Sequence, residues 1–194
     1  MSSEENSTRA KILNAAWRLL EDQGGARTRM SDIAKAAGVS RQAVYLHFDN
    51  RADLLTEATR YADAQLGVPV ALEPFRNALD AEAKLRAAAA FFAGHYPQVS
   101  GLANALLDMS EDEEAQAAWR DRMGAVSEAA GETVAAIVAE GRLTPDWTET
   151  AATDFLWSLL AYETWRRLTA ECFWTPEDYV ARITSAAKAA LIAP

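Results

Sequence analysis

The segment RQAVYLH carries four polar side chains suited to binding a nucleic acid: Arg41, Gln42, Tyr45 and His47. Together they supply donors that base edges and phosphate oxygens can accept. Val44 and Phe48 lie four residues apart, so they would form the buried side of a short helix and leave the polar side chains exposed. These residue types at this spacing indicate a nucleic-acid contact.

A second helix must precede this one to position it. Ser31 suits a helix start, and the apolar face that follows consists of Ile33, Ala34 and Ala37. Gly38 suits the left-handed backbone that ends a helix, and Ser40 can cap the next one. The sequence therefore predicts a helix-turn-helix motif over residues 29–48, with a third helix opening at Arg51.

The string DIAKAAGVSRQAVYLHFDNRADLL resembles the motif of the TetR family of bacterial transcriptional regulators. The resemblance extends upstream through RAKILNAAWRLLEDQGGARTRM and covers about Thr8 to Leu66. It implies an N-terminal three-helix DNA-binding domain, followed by a helical domain that binds a ligand and pairs two copies of the chain.

The resemblance also implies roles for individual residues. Tyr45 and Arg51 would contact phosphates, and His47 would touch the DNA backbone. The alternatives are a core aromatic for Tyr45, a packing residue for His47 and a solvated charge for Arg51. Gln42 and Ala43 occupy positions where the family reads bases. The full candidate DNA-binding set is Arg29, Ser31, Ser40, Arg41, Gln42, Ala43, Tyr45, Leu46, His47 and Arg51.

Two members of this set offer no side-chain hydrogen bonds. Ala43 presents only a methyl group, which suits the methyl group of thymine, and Leu46 stands where the family often has a larger or polar residue. Sequence preference is therefore expected to depend on Arg41, Gln42, methyl contacts and DNA shape.

Composition predicts an all-α fold of about nine helices. Half of the 194 residues are apolar, only nine glycines and six prolines interrupt the chain, and Ala-, Leu- and Glu-rich runs favour helix. The single cysteine, Cys172, excludes an intramolecular disulfide and fits a reducing compartment. No signal core and no apolar run of about 20 residues is present, so we expect a soluble cytoplasmic protein without membrane contact.

The net charge of −9 is unevenly distributed. Residues 7–51 carry eight Lys or Arg against four Asp or Glu, whereas residues 67–194 carry ten basic and nineteen acidic residues. The basic end would attract phosphates and the acidic remainder would repel them. Solubility alone is the alternative reason for the acidic charge.

Glycine and proline place the domain boundary near residues 66–74, giving a DNA-binding domain over 6–66 and a second helical domain over 67–194. In the first domain, a helix capped by Asn6 or Ser7 would end at Gly24-Gly25. The second domain would hold helices over about 80–94, 97–108, 111–140, 146–173 and 176–191. The acidic run SEDEE is interpreted as the start of the third of these.

The helix predicted over 146–173 is apolar on more than one face, which requires burial on two sides. One side can meet its own domain and the other a second subunit, so we expect a homodimer that binds a palindromic operator in double-stranded DNA. A large monomeric core is the alternative. The candidate interface residues are Leu156, Leu160, Ile183, Ala186 and Ala190.

The second domain is rich in aromatic residues and methionine. The resemblance implies a cavity for a small effector among its helices, which we expect to be apolar or aromatic; plain core packing is the alternative. The candidate pocket residues are Phe91, Phe92, His95, Tyr96, Met109, Trp119, Met123, Phe155 and Tyr162.

Other functional classes are disfavoured. The chain has two histidines, no glycine-rich phosphate loop and no Cys/His metal-ligand spacing, so no catalytic residue, metal site or cofactor is predicted. A helical protein-interaction module would not need the polar set on residues 41–47. The sequence therefore predicts a DNA-binding repressor that a small ligand releases, with a ligand-independent regulator of the same fold as the alternative.

Overall fold

The computed structural model describes residues 3–23 and 28–193, and all regular secondary structure in these ranges is helical. The chain forms two compact units. Unit 1 comprises Met1–Gly67 and Gln98–Arg122, and unit 2 comprises Val68–Pro97 and Met123–Pro194. Residues 98–122, which the sequence analysis assigns to the second domain, thus pack with the N-terminal helices.

The helices follow in chain order, and most exceed three turns. They are α1 Ser3–Gln23, α2 Met30–Ala37, α3 Arg41–His47, α4 Arg51–Gln65, α5 Val68–Ala71, α6 Glu73–Arg76, α7 Ala81–Asp108, α8 Glu113–Ala139, α9 Glu149–Leu160, α10 Tyr162–Arg166 and α11 Pro176–Leu191, with a π-helical turn over Arg167–Glu171. The all-α prediction is confirmed.

Unit 1 has an apolar core shared by α1 to α4. Its fully or nearly buried members are Ile12, Leu13, Ala16, Met30, Ile33, Ala34, Val44, Phe48, Leu54 and Ala58. Four helices thus converge on one cluster, which fixes α3 against α1, α2 and α4. Helix α1 begins at Ser3, earlier than the predicted cap at Asn6 or Ser7. Its predicted stop at Gly24-Gly25 lies outside the described residues.

The structure differs from the prediction at two places in the second domain: one predicted break is absent, and one helix has a break that was not predicted. The helices expected over 80–94 and 97–108 are one continuous helix, α7, with Pro97 inside it. Pro97 lies on the exposed side. The helix expected over 146–173 instead stops at Leu160, because Ala161 adopts an extended backbone before α10 begins. Aromatic and apolar periodicity alone gave no sign of this interruption.

In unit 2, the C-terminal end of α11 is hydrogen-bonded to the segment that follows α8. The segments at Leu143 and Ile192 form an isolated antiparallel bridge, and the Thr144 N–H donates to the Leu191 carbonyl at 2.9 Å. Nearby, Glu82 accepts from Arg142 at 2.8 Å and from Lys188 at 2.6 Å. These two cations lower the pKa of Glu82. The carboxylate therefore ties the start of α7 to the end of α11.

Within the described ranges, no helix is both long and apolar enough to cross a membrane.

Candidate nucleic-acid interface

Helix α2 and the turn after it hold α3 in place. The helix begins at Met30, and the Asp32 carboxylate accepts from the Arg29 N–H at 3.2 Å. Ser31, which the sequence suggested as the start of the helix, therefore lies inside the first turn and does not cap it. Gly38 ends α2 with a φ of 68°, and the Val39 N–H donates to the Ala34 carbonyl at 3.0 Å. That left-handed conformation costs glycine little, so the predicted tight turn is confirmed.

Helix α3 is capped as predicted. The Ser40 hydroxyl oxygen accepts from the Ala43 N–H at 3.1 Å. Val44 and Phe48 are 0% and 1% exposed, so one side of α3 is held in the unit 1 core. The helix ends at His47, and Phe48 already has an extended backbone.

The opposite side of α3 faces solvent. Arg41 and Gln42 are exposed, while Tyr45 and Leu46 keep 45% and 79% of their surface. Tyr45 is therefore not a core aromatic. The Arg41 guanidinium donates to the Tyr45 hydroxyl at 3.3 Å and lies 5.5 Å from the ring centroid. The structure thus brings the two side chains together on one accessible surface, which we call the α3 surface and define as Arg41, Gln42, Tyr45 and Leu46.

Ala43 and His47 are half-buried at the edges of this surface. The His47 ring is tilted against Phe48 with a centroid separation of 6.4 Å. Arg29, Ser31 and Ser40 are exposed on the elements that flank α3. The predicted set is therefore grouped around α3, with one exception.

That exception is Arg51, the first residue of α4. Its side chain is only 15% exposed. Its Nε donates to the Thr28 carbonyl at 2.9 Å, and Nη1 donates to Asp112 at 2.5 Å. Nη2 lies 3.1 Å from the Met109 sulfur. The sequence suggested a free phosphate contact, and the structure instead shows a guanidinium whose three nitrogens all meet acceptors within unit 1.

An ion pair that sequence reasoning missed fastens α4 to α1 behind the α3 surface. Arg9 donates to Glu57 at 2.6 Å, and its guanidinium lies 5.2 Å from the centroid of the Phe48 ring. Arg60 also donates to Glu57, at 3.0 Å. The Arg9 hydrogen bond is the largest influence lowering the pKa of Glu57, and burial opposes it. Oppositely charged residues 48 positions apart gave no local signal of this contact.

The predicted pocket residues are divided between the two units. Met109 and Trp119 belong to unit 1, and the rest belong to unit 2. In unit 2 the aromatic rings pack on one another: Tyr96 lies edge-to-face with Tyr162 at 5.3 Å between centroids and 5.6 Å from Trp165. The Tyr96 hydroxyl donates to the Leu160 carbonyl at 2.6 Å. These side chains therefore serve the unit 2 core, whether or not they also face a ligand.

The same cluster holds a residue outside the predicted set. Trp165 is 9% exposed, and its Nε1 is buried with no hydrogen-bond acceptor among the described residues. A buried indole N–H ordinarily finds a partner. Within this cluster, the Trp165 N–H is therefore the donor that lacks an acceptor among the described residues.

A groove of about 710 Å³ lies elsewhere in unit 2, between α7 and α11. Its wall includes Ala90 and Gly94 of α7 and Val180 and Thr184 of α11. None of the predicted pocket residues lines this groove.

The predicted interface residues are only partly accessible. Leu156 and Leu160 are 0% exposed and Ile183 is 4% exposed, because they face the core of their own unit. These three predictions are wrong for the subunit as folded. Ala186 is exposed and Ala190 is half-buried on α11, and Trp157 is 38% exposed on α9. The residues chosen on α9 thus lie on its inward side, and the use of α9 and α11 as a dimer interface stays a prediction.

The N-terminal part of the chain, which contains α3, is similar in sequence to one family of known proteins. Residues 12–58 match the family described as bacterial regulatory proteins, tetR family. The HTH-type transcriptional regulator AcrR of Shigella flexneri is 42% identical over 64 residues, which is 33% of this chain and 30% of AcrR. The match thus covers less than a third of that curated relative.

Solved structures match over a longer range. NalD of Pseudomonas aeruginosa, the secondary repressor of the MexAB-OprM multidrug efflux pump, aligns with a TM-score of 0.71 at 23% identity over 98% of both chains. FadR of Bacillus subtilis, solved with stearoyl-CoA, aligns with a TM-score of 0.72 at 16% identity over 93% of this chain and 97% of FadR. These similarities show a shared fold.

Proposed function

Because residues 12–58 match the tetR family of bacterial regulatory proteins, we propose that this chain belongs to that family and represses transcription by binding a palindromic operator as a homodimer in the cytoplasm. The observation that carries the proposal is the α3 surface. A helix capped by Ser40 and anchored by Val44 and Phe48 presents Arg41, Gln42 and Tyr45 to solvent. Such a helix fits the major groove, where arginine and glutamine read base edges.

The remaining members of the DNA-binding set extend this surface. Arg29, Ser31, Ser40, Ala43 and His47 would supply backbone and methyl contacts around the α3 surface. Arg51 is left out, because its guanidinium is occupied within unit 1. Two copies related by a two-fold axis would place two α3 helices in successive major grooves.

The test is a mobility-shift titration with duplex DNA from upstream of the chain's own coding sequence. Arg41→Ala should weaken binding, and higher salt should weaken binding of the unaltered chain steeply, because phosphate contacts release counterions. Arg86→Ala is the matched control, since Arg86 is an exposed arginine on α7 of unit 2. Equal binding by the two variants would refute the assignment of the α3 surface.

The ligand response is a second part of the proposal. A small apolar or aromatic molecule with a hydrogen-bond acceptor would fit the aromatic cluster, because the unpaired Trp165 N–H offers a donor beside Tyr96 and Tyr162. Binding would lower operator affinity by favouring a conformation unsuited to DNA. The stearoyl-CoA bound to FadR shows that a protein of this fold accommodates an acyl ligand.

A panel of aromatic and acyl compounds tests this part. A bound compound should raise the melting temperature of the chain and release it from DNA, and Trp165→Phe should reduce both effects. Trp17→Phe is the control, because Trp17 also has a buried indole N–H without an acceptor among the described residues but packs on Tyr61 in unit 1. If no compound alters DNA affinity, the chain acts as a ligand-independent regulator.

A further inference from the structure

The contacts of Arg51 lead to the corner between α7 and α8, residues 109–114, which we call the acidic corner. Asp112 lies 2.5 Å from Nη1 of Arg51, and Glu114 lies 3.5 Å from the same nitrogen. Both carboxylates and Arg51 belong to unit 1. The positive charge of Arg51, at the start of α4 and shortly after α3, is thus neutralised by carboxylates of its own chain.

Asp112 is held in position from the other side. Its Oδ1 accepts from the backbone N–H of Ala115 at 3.0 Å and of Glu114 at 3.1 Å, so it caps α8. Oδ2 is then directed at Arg51. Burial raises the pKa of Asp112, but the Ala115 N–H and Arg51 together outweigh burial and leave the pKa lowered. One carboxylate therefore performs two tasks, capping a helix and holding a guanidinium.

The surroundings reinforce this effect. A cleft of about 600 Å³ beside the start of α4 is lined by Asn50 and Ala52 on one side and by Glu111, Glu113, Glu114 and Arg120 on the other, so acidic side chains outnumber the one basic side chain in its wall. A phosphate approaching Arg51 would meet these carboxylates, and like charges at close range repel. The acidic corner thus opposes DNA phosphates at the position where the sequence suggested a phosphate contact.

We propose that Asp112 withholds Arg51 from DNA, so that the acidic corner limits the number of phosphates that the DNA-binding unit can neutralise. Asp112 is then a positioning residue that acts on DNA affinity through Arg51. The inference rests on the proposed DNA binding and deepens it. Helix α8 begins at this corner, where Asp112 caps it, and continues into unit 2. A change in the first turn of α8 would therefore alter the contact between Asp112 and Arg51.

The experiment measures affinity against salt concentration for two probes: mixed-sequence duplex DNA and the duplex from upstream of the coding sequence. Asp112→Asn keeps a side-chain oxygen that can cap α8, because asparagine is a good N-cap residue, but it cannot form the ion pair. We expect roughly three- to ten-fold tighter binding, and a slope of log affinity against log salt that is steeper by about 0.9.

Glu113→Gln is the matched control. It removes one negative charge from the same corner, and Glu113 lines the cleft without meeting Arg51. It should tighten binding slightly through the general field and leave the slope unchanged. Arg51→Gln alone should also leave the slope unchanged, and the double variant Asp112→Asn/Arg51→Gln should return to the slope of the unaltered chain.

Each outcome separates the two proposals. If the unaltered chain binds DNA but Asp112→Asn behaves like Glu113→Gln, the role of Asp112 is refuted and the proposed function stands. The role is also refuted if the steeper slope persists when Arg51 is absent. If the unaltered chain binds neither probe at low salt, both proposals fail. Thermal unfolding of every variant confirms that the comparison is between folded proteins.

Discussion

The Arg41 guanidinium donates to the Tyr45 hydroxyl at 3.3 Å and lies over its ring, 5.5 Å from the centroid. The two residues are four apart on α3 and share one exposed face, as residues at that spacing do in a helix. The contact restricts a long side chain that otherwise loses conformational freedom on binding. In the folded chain, Tyr45 therefore restricts the orientation of the Arg41 guanidinium.

The first prediction concerns that hydroxyl. Tyr45→Phe keeps the ring and removes the acceptor for Arg41, so operator binding should weaken by about five-fold in Kd. The salt slope should not change, because no charge is lost. Fluorescence anisotropy titrations at several salt concentrations measure both quantities. Tyr61→Phe makes the same chemical change on α4, where the ring packs edge-on to Trp17, and should leave Kd unchanged. Equal Kd values for Tyr45→Phe and the unaltered chain would contradict the role of Tyr45.

Two nearby serines allow a test of capping. The Ser40 hydroxyl accepts from the Ala43 N–H at 3.1 Å, whereas Ser31 lies within the first turn of α2. Ser40→Ala should lower the free energy of unfolding by about 1 kcal/mol, and Ser31→Ala should change it by less than about 0.5 kcal/mol. Urea denaturation followed by circular dichroism measures both. A larger loss for Ser31→Ala would show that Ser31 is the cap and that α2 starts two residues later.

The local part of the site could be predicted from the sequence. Gly38, Ser40 and the pair Val44 and Phe48 act over at most four residues, so the turn, the cap and the buried side of α3 were all accessible to sequence reasoning. The start of α2 was misplaced because Ser31, two residues after Arg29, is a residue type that favours the cap position, whereas Arg29 occupies that position. The boundary was settled by the Asp32 carboxylate meeting the Arg29 N–H.

The contacts that the sequence did not reveal join distant residues. Arg51 and Asp112 are 61 positions apart, and acidic residues after a helix break already have a sufficient reason to be there as helix-capping groups. The same limit applied to α9. Leucines and aromatics cover more than one of its faces, and periodicity cannot tell which face its own unit covers. Burial of Leu156 and exposure of Trp157 answer that question.

Acid should weaken the attachment of α4 to α1. The pKa of Glu57 is lowered in the folded chain, chiefly by Arg9, so the ionised carboxylate stabilises the fold. That stabilisation is complete above the unfolded pKa of about 4.3 and is lost as pH falls through the lowered folded value. Because the ion pair is partly exposed, its contribution is about 0.5–1 kcal/mol.

Glu57→Gln tests this dependence. The variant should be less stable than the unaltered chain at pH about 7, and the difference should shrink as the pH falls through the lowered pKa of Glu57, because the unaltered carboxylate then becomes protonated too. Urea unfolding at a series of pH values gives the free energies. Glu128→Gln, at an exposed position on α8, should show no such trend. A constant difference between Glu57→Gln and the unaltered chain across the series would mean that ionisation of Glu57 does not stabilise the fold.

The dimer can be tested on the outward faces of α9 and α11. Trp157 keeps 38% of its surface exposed, and Ala186 is exposed among small residues on α11. A large exposed aromatic on α9 and small exposed side chains on α11 suit close helix packing with a second copy. Ala186→Glu would place a charge in that contact, where it is costly unless it is paired. We expect the dimer dissociation constant to rise at least about ten-fold. Sedimentation velocity over a concentration series measures this constant. Operator affinity should fall in parallel, because a monomer can contact only one of the two half-sites.

Ala135→Glu adds the same charge at an exposed alanine of α8 and should remain dimeric. Leu156→Ala should instead lower the melting temperature, because Leu156 lies in the core of its own unit. An Ala186→Glu protein that sediments as the unaltered dimer would remove α11 from the interface.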